Sequence, residues 1–130
     1  RSQGRQAGMP ALVLSAAALF TLCAAGPRHT CVVDGDTFWL AGEKVRIADI
    51  NAPETHQAQC PAERELGEAA KQRLLELLNA GPVTLVDGPR SRDRYGRRLA
   101  IAMRDGESLG TRLVAEGLAE PWRGRRSSWC

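Results

Sequence analysis

Over residues 30–50 the chain alternates short apolar runs with polar turn dipeptides, and after residue 60 the spacing of its apolar positions changes. Runs at 30–33, 37–40 and 44–50, divided by Asp34-Gly35 and Ala41-Gly42, read as three strands of a meander. In the third run Val45, Ile47, Ala48 and Ile50 occupy both parities, which suits a strand covered on both faces or bent by a bulge. Asn51-Ala52-Pro53 ends it. From Pro61 the period lengthens: Leu66, Ala70, Leu74, Leu77 and Leu78 recur at helical spacing. Pro61 suits a first turn, Glu63 and Glu65 suit a helix N-terminus, and Asn79-Ala80-Gly81-Pro82 is a strong stop. Runs at 83–86 and 99–103 give a fourth and a fifth strand, and a second short helix is capped by Ser108 and ends at Gly117.

Five strands, with a helix after the third and a short C-terminal helix, describe an α+β, mainly β fold. A small OB-type barrel accommodates that order, and an open α+β sheet is the alternative. Ahead of it, residues 9–26 form an uncharged apolar run preceded by Arg1 and Arg5 and closing in small residues, the pattern of a secretory signal peptide cleaved near Ala25 or Gly26. The run is at the short edge of a membrane span. The expected organisation is therefore a leader over 1–26, one domain over 27–122 and a tail over 123–130, with the mature protein secreted or periplasmic, free of the membrane and monomeric.

Removing residues 1–26 takes away two arginines and no acid, so the formal charge of +3 falls by two and net charge decides nothing. Local charge is more informative. Residues 88–98 hold five arginines against one aspartate and residues 122–126 hold three more, the footprint of a phosphate-binding face. Three cysteines, Cys31, Cys60 and Cys130, follow the leader. Their spacing makes no zinc pair, and in an exported protein one disulfide plus one free thiol, with Cys130 as a partner, is the simplest reading.

One arginine stands apart. Arg46 interrupts an apolar strand, and a charge there is costly unless it is paired or faces a cleft that anions enter. Pairing with Asp49 or Glu54 is one reading; an anion site is the other. The motifs VVDGDT at 32–37, VRIADINAPE at 45–54 and DRYGR at 93–97 come in that order, and together they resemble the staphylococcal nuclease (thermonuclease) family over roughly residues 31–122. The resemblance implies an OB-fold domain that hydrolyses the phosphodiester bonds of DNA or RNA, with Ca2+ as cofactor.

Residue by residue, the resemblance makes Arg46 and Arg97 the phosphate-clamping arginines and Glu54 the base that activates water. Planar guanidinium forks match the charge that gathers on phosphate oxygens, and a carboxylate beside Pro53 is held where a base must be. Asp36, Asn51 and the Ala52 carbonyl fall on the metal-ligating positions, and Arg94 and Tyr95 lie beside the nucleotide. Asn51 departs from the family, which has an aspartate there, so weaker calcium binding is expected, with Asp49 the nearest carboxylate to compensate. The segment EPWRGRR replaces an aromatic-rich one and leaves Tyr95 and Trp122 as the candidates to stack on a base. The competing reading is a catalytically weak OB module that binds nucleic acid or another anion.

Overall fold

A computed structural model describes residues 11–13 and 19–130. The expected leader falls largely outside the described residues. Five of the strands are those the apolar pattern predicts: β3 (Cys31–Asp34), β4 (Thr37–Leu40), β5 (Glu43–Ile47), β7 (Thr84–Arg92) and β8 (Arg98–Arg104). The remaining strands are short: β1 (Ala11–Val13), β2 (Thr21–Leu22), β6 (Ile50–Asn51), β9 (Glu107–Ser108) and β10 (Glu120–Pro121). The two helices are α1 (Pro61–Asn79) and α2 (Leu109–Ala115).

The main sheet runs β1-β7-β8-β5-β4-β3-β2, with β9 paired to β8, and β6 pairs β10 separately. Within it β3, β4 and β5 are an antiparallel meander, β5 and β8 are parallel, and β7 returns antiparallel to β8. A parallel pair needs a crossover, and α1 lies within it. This is the strand order of an OB-type fold.

The third predicted strand divides in two. After Ile47 the chain leaves the sheet for two residues and resumes as β6, which explains apolar residues on both parities: Ile47 and Ile50 are both fully buried although three positions apart. Helix α1 buries Ala70, Leu74, Leu77 and Leu78 against the sheet. Its first turn is capped by Cys60, whose Sγ accepts the Glu63 N–H. Ser108 caps α2 in the same way through Thr111 N–H.

Part of the stretch expected to be a leader packs onto the domain. Phe20 is 2% exposed in the core and meets Phe38 edge to face with ring centroids 5.7 Å apart. Both backbone groups of Phe20 are taken by the Asn79 side-chain amide at the end of α1, at 2.8 and 3.0 Å. Strand β2 adds in parallel to β3, and Cys23 is disulfide-bonded to Cys31. Cys130 pairs with Cys60, as one of the open pairings allowed, but no cysteine is free: the expected lone thiol is corrected, because Cys31 has a neighbour in the stretch read as leader. Among the described residues no helix is long and apolar enough to cross a membrane.

If residues 19–25 are part of the domain, Phe20→Ala loses a buried ring and lowers unfolding free energy by about 3–5 kcal/mol. A denaturant melt reads this directly. An unchanged midpoint would mean that the segment contributes nothing to the core.

Candidate active site

Arg46 is only 7% exposed, and its strand break explains how it is accommodated. Because the chain turns between β5 and β6, the carbonyls of Ile47 and Ile50 converge on its Nη1. Its Nη2 lies 3.4 Å from Asp36 Oδ2, and its guanidinium stands 5.7 Å from the Trp122 ring centre. The partner is thus Asp36, not Asp49 or Glu54 as the pairing reading had it. Asp49 faces elsewhere: its Oδ2 accepts the Ser108 hydroxyl at 2.6 Å, beside α2, so it does not supplement the Asp36 site.

Asp36 occupies the β3–β4 hairpin turn with Gly35. A Cβ at Gly35 would stand 2.7 Å from the Ala70 Cβ and 2.9 Å from the Ala52 Cβ, so glycine is what lets α1 and the strand end approach the turn. The buried Asp36 carboxylate accepts the Thr37 hydroxyl at Oδ1 and the Ala52 N–H at Oδ2, both at 2.9 Å. Asp34 stands next to it. Burial first, then the Asp36 charge, push the Asp34 carboxyl up to about 8.

Asn51 is fully buried with its amide turned by a residue far along the chain: Nδ2 donates to Glu120 Oε2 at 3.0 Å. That leaves Asn51 Oδ1 without a partner among the described residues. A buried amide oxygen without a donor is the kind of group a hard cation takes, and the neighbouring Ala52 is tied to the Asp36 carboxylate through its N–H. Among the described residues no group of three or more Asp, Glu, His or Cys is placed to hold a metal.

Glu54 is positioned through its backbone. Its N–H donates to Glu63 Oε2 at 3.0 Å, while Gln59 N–H donates to Glu63 Oε1 at 2.9 Å, so one carboxylate in the first turn of α1 pins both ends of the intervening loop. Gly67 adds a second restraint, since a Cβ there would come within 2.4 Å of the Glu54 carbonyl oxygen. The Glu54 side chain is ion-paired to Arg126 in the C-terminal tail.

The DRYGR turn forms a second cluster, to which no hydrogen bond or ion pair from Asp36, Arg46 or Glu54 reaches. Asp93 takes the Tyr95 and Arg97 N–H groups and, at 2.6 Å, Arg97 Nε. Tyr95 is 68% exposed, with the guanidinium groups of Arg94 and Arg97 5.1 and 5.4 Å from its ring. Leu99 is the register partner of Arg46. Arg97 immediately precedes β8, the strand that pairs with the one carrying Arg46. Trp122 is 43% exposed beside Arg46 and does not plug the core.

Sequence reasoning missed Glu63, Glu120 and Arg126. In the sequence Glu63 carries only the signature of a helix start, Glu120 carries none, and Arg126 is marked only as one of a cluster of arginines.

Comparison with known proteins bears on the whole arrangement. Residues 44–128 match the family model described as staphylococcal nuclease homologue. The chain is 39% identical over 92 residues to Endonuclease YncB of Bacillus subtilis, covering 67% of this chain and 43% of that one. It is 36% identical over 93 residues to the succinoglycan biosynthesis protein ExoI of Rhizobium meliloti, covering 68% and 48%. To a thermonuclease of Staphylococcus intermedius it is 33% identical over 92 residues, covering 68% and 54%. The chain therefore spans about half the length of these relatives.

The Glu63 restraint has a pH signature. The N–H donors of Gln59 and Glu54, outweighing burial, hold its carboxyl below the ordinary 4.5. A depressed carboxyl contributes stability above its unfolded value and loses it as pH falls through the lower folded value. Glu63→Gln should therefore melt below the parent at neutral pH, and the gap should narrow as the pH falls below the ordinary carboxyl value of 4.5 and through the lower folded one. A gap that is independent of pH would remove the charge from the explanation.

Proposed function

The chain belongs to the staphylococcal nuclease family, and on that footing we propose that it is a calcium-dependent nuclease that hydrolyses phosphodiester bonds of DNA or RNA with little sequence preference. The observation that carries the proposal is the buried Arg46, held by Asp36 and by two carbonyls at the β5–β6 break, on the segment that leads to Asn51 and Glu54 in the wall of a cleft. Simple anion binding accounts for the arginine and leaves the pinned glutamate without a purpose.

In this reading the phosphate docks against Arg46 and Arg97, whose forked donors follow the charge as it builds on the phosphate oxygens. Glu54 takes a proton from the attacking water, whose oxygen bonds to phosphorus as the phosphorus–oxygen bond to the leaving sugar breaks. Calcium, held by Asp36, Asn51 Oδ1 and the Ala52 carbonyl, would add positive charge near the same oxygens. Tyr95 and Arg94 flank the nucleotide, the ring offering a stacking face that any base accepts. The two disulfides support a site of action outside the reducing cytoplasm.

On denatured DNA, Glu54→Gln should lose roughly 10²- to 10⁴-fold in kcat, and Arg46→Ala and Arg97→Ala losses of about 10²- to 10³-fold. Full activity in Glu54→Gln would reject the assigned base.

One feature favours the second reading, a weak module that binds nucleic acid: the amide at Asn51 where a charge is expected. Asn51→Asp restores that charge and should lower the calcium concentration for half-maximal cleavage, mostly at low calcium. A parent that binds oligonucleotides yet cleaves none with any divalent cation decides for the binding module.

A further inference from the structure

The C-terminal segment is fastened to the rest of the domain at both of its ends. Strand β10 pairs with β6, with Glu120 opposite Asn51, and Trp122 N–H donates to the Asp49 carbonyl at 3.0 Å. Ser127 N–H donates to Glu120 Oε2 at 3.2 Å. Cys130 is then bonded to Cys60, the residue that caps α1. Residues 122–130 thereby become a strap, and a cleft of about 260 Å³ lies between it and the 54–63 loop, with Glu54, Asn51, Arg126 and Trp129 on its walls.

Arg126 is the strap residue that reaches Glu54. Its Nη1 bonds Glu54 Oε2, and this is the only hydrogen bond the Glu54 side chain makes among the described residues. The backbone of Glu54 is pinned from α1, but its carboxylate has several rotatable bonds beyond that point, and a base must be oriented to act. Arg126 engages one oxygen and leaves Oε1 without a hydrogen bond, open to a water. Burial opposes the charge on Arg126, but the bond to Glu54 and the charges of Glu54, Asp36 and Asp34 outweigh it and raise its pKa, so its cationic form is secure.

The geometry points to Arg126 as the positioning residue for Glu54, delivered to it by the strap that the Cys60–Cys130 disulfide closes. The inference rests on Glu54 as the base. It makes catalytic competence depend on a disulfide at the far end of the chain, and it assigns one of the tail arginines a task other than gripping the nucleic acid backbone.

The test is steady-state cleavage of a single-stranded DNA oligonucleotide by the full chain, with circular dichroism and a thermal melt to establish folding. Arg126→Ala should lower kcat about 10- to 100-fold, the scale of a misplaced catalytic group, with KM within about twofold. Arg126→Lys should recover part of the loss. In a Glu54→Gln background Arg126→Ala should cost nothing more, since an orienter has no work without its base. Cys130→Ser should reproduce the kcat loss and add little to Arg126→Ala; if it melts too low to assay, the Arg126 variants alone decide. Unchanged or faster turnover in Arg126→Ala makes the contact a blocking one and overturns the inference. A loss confined to KM, or one that persists in Glu54→Gln, overturns it in favour of a direct phosphate contact. Activity retained in Glu54→Gln itself removes the base and this inference with it, which separates the two failures.

Discussion

Burying a guanidinium in a strand is the constraint around which the domain is arranged. A buried ion must be paired and have its remaining donors satisfied, or it costs several kcal/mol. Each element near Arg46 contributes to that. The β5–β6 break brings two carbonyls to it, the β3–β4 turn supplies Asp36, and the start of the C-terminal strap sets Trp122 beside it. Asp36 is in turn held by Thr37 and the Ala52 N–H, which ties the turn to the strand end carrying Asn51 and Glu54. The result is a single hydrogen-bonded unit in which the candidate site residues Arg46 and Asp36 are also structural ones.

Helix α1 is the platform that sets the distances. It packs close only because two glycines lack a side chain, Gly35 under Ala70 and Gly67 against the Glu54 carbonyl. Glu63 then fixes the loop that Gly67 touches. A helix held this close transmits small shifts to the cleft, because packed interiors do not yield smoothly. Core substitutions on α1 are therefore expected to be felt at Glu54.

Local periodicity made much of the fold legible. The helix from Pro61 to Asn79 has its expected bounds, and the strands appear where alternating apolar runs and turn dipeptides put them. The DGDT, NAPE and YGR motifs also marked the residues that the structure gathers at Asp36, Arg46 and Glu54 and at the Asp93–Arg97 turn. What escaped was non-local. Glu120 reaches Asn51 across 69 positions and Arg126 reaches Glu54 across 72, and no short-range pattern records such a pairing. Phe20 and Cys23 were hidden for a different reason. They sit in a uniformly apolar stretch whose composition matches a leader, and only Asn79 and Cys31, elsewhere in the chain, reveal them as core and disulfide partner.

The Cys60–Cys130 bond closes a ring of chain with a sequence separation of 70, which contains α1, β7, β8, β9, α2 and β10. The β3–β6 meander lies outside that ring. Asp36, Arg46, Asn51 and Glu54 therefore belong to one covalent part, and Arg97, Glu120 and Arg126 to the other. In the oxidised chain the ring has already lost much of its conformational entropy before folding, whereas the meander must still dock against it. The cleft lies along the seam between the two, a seam that the β5–β8 pairing and the shared apolar core also span. Opening the polar contacts along the cleft alone would separate the candidate site residues of one part from those of the other while the core that both parts share stays packed.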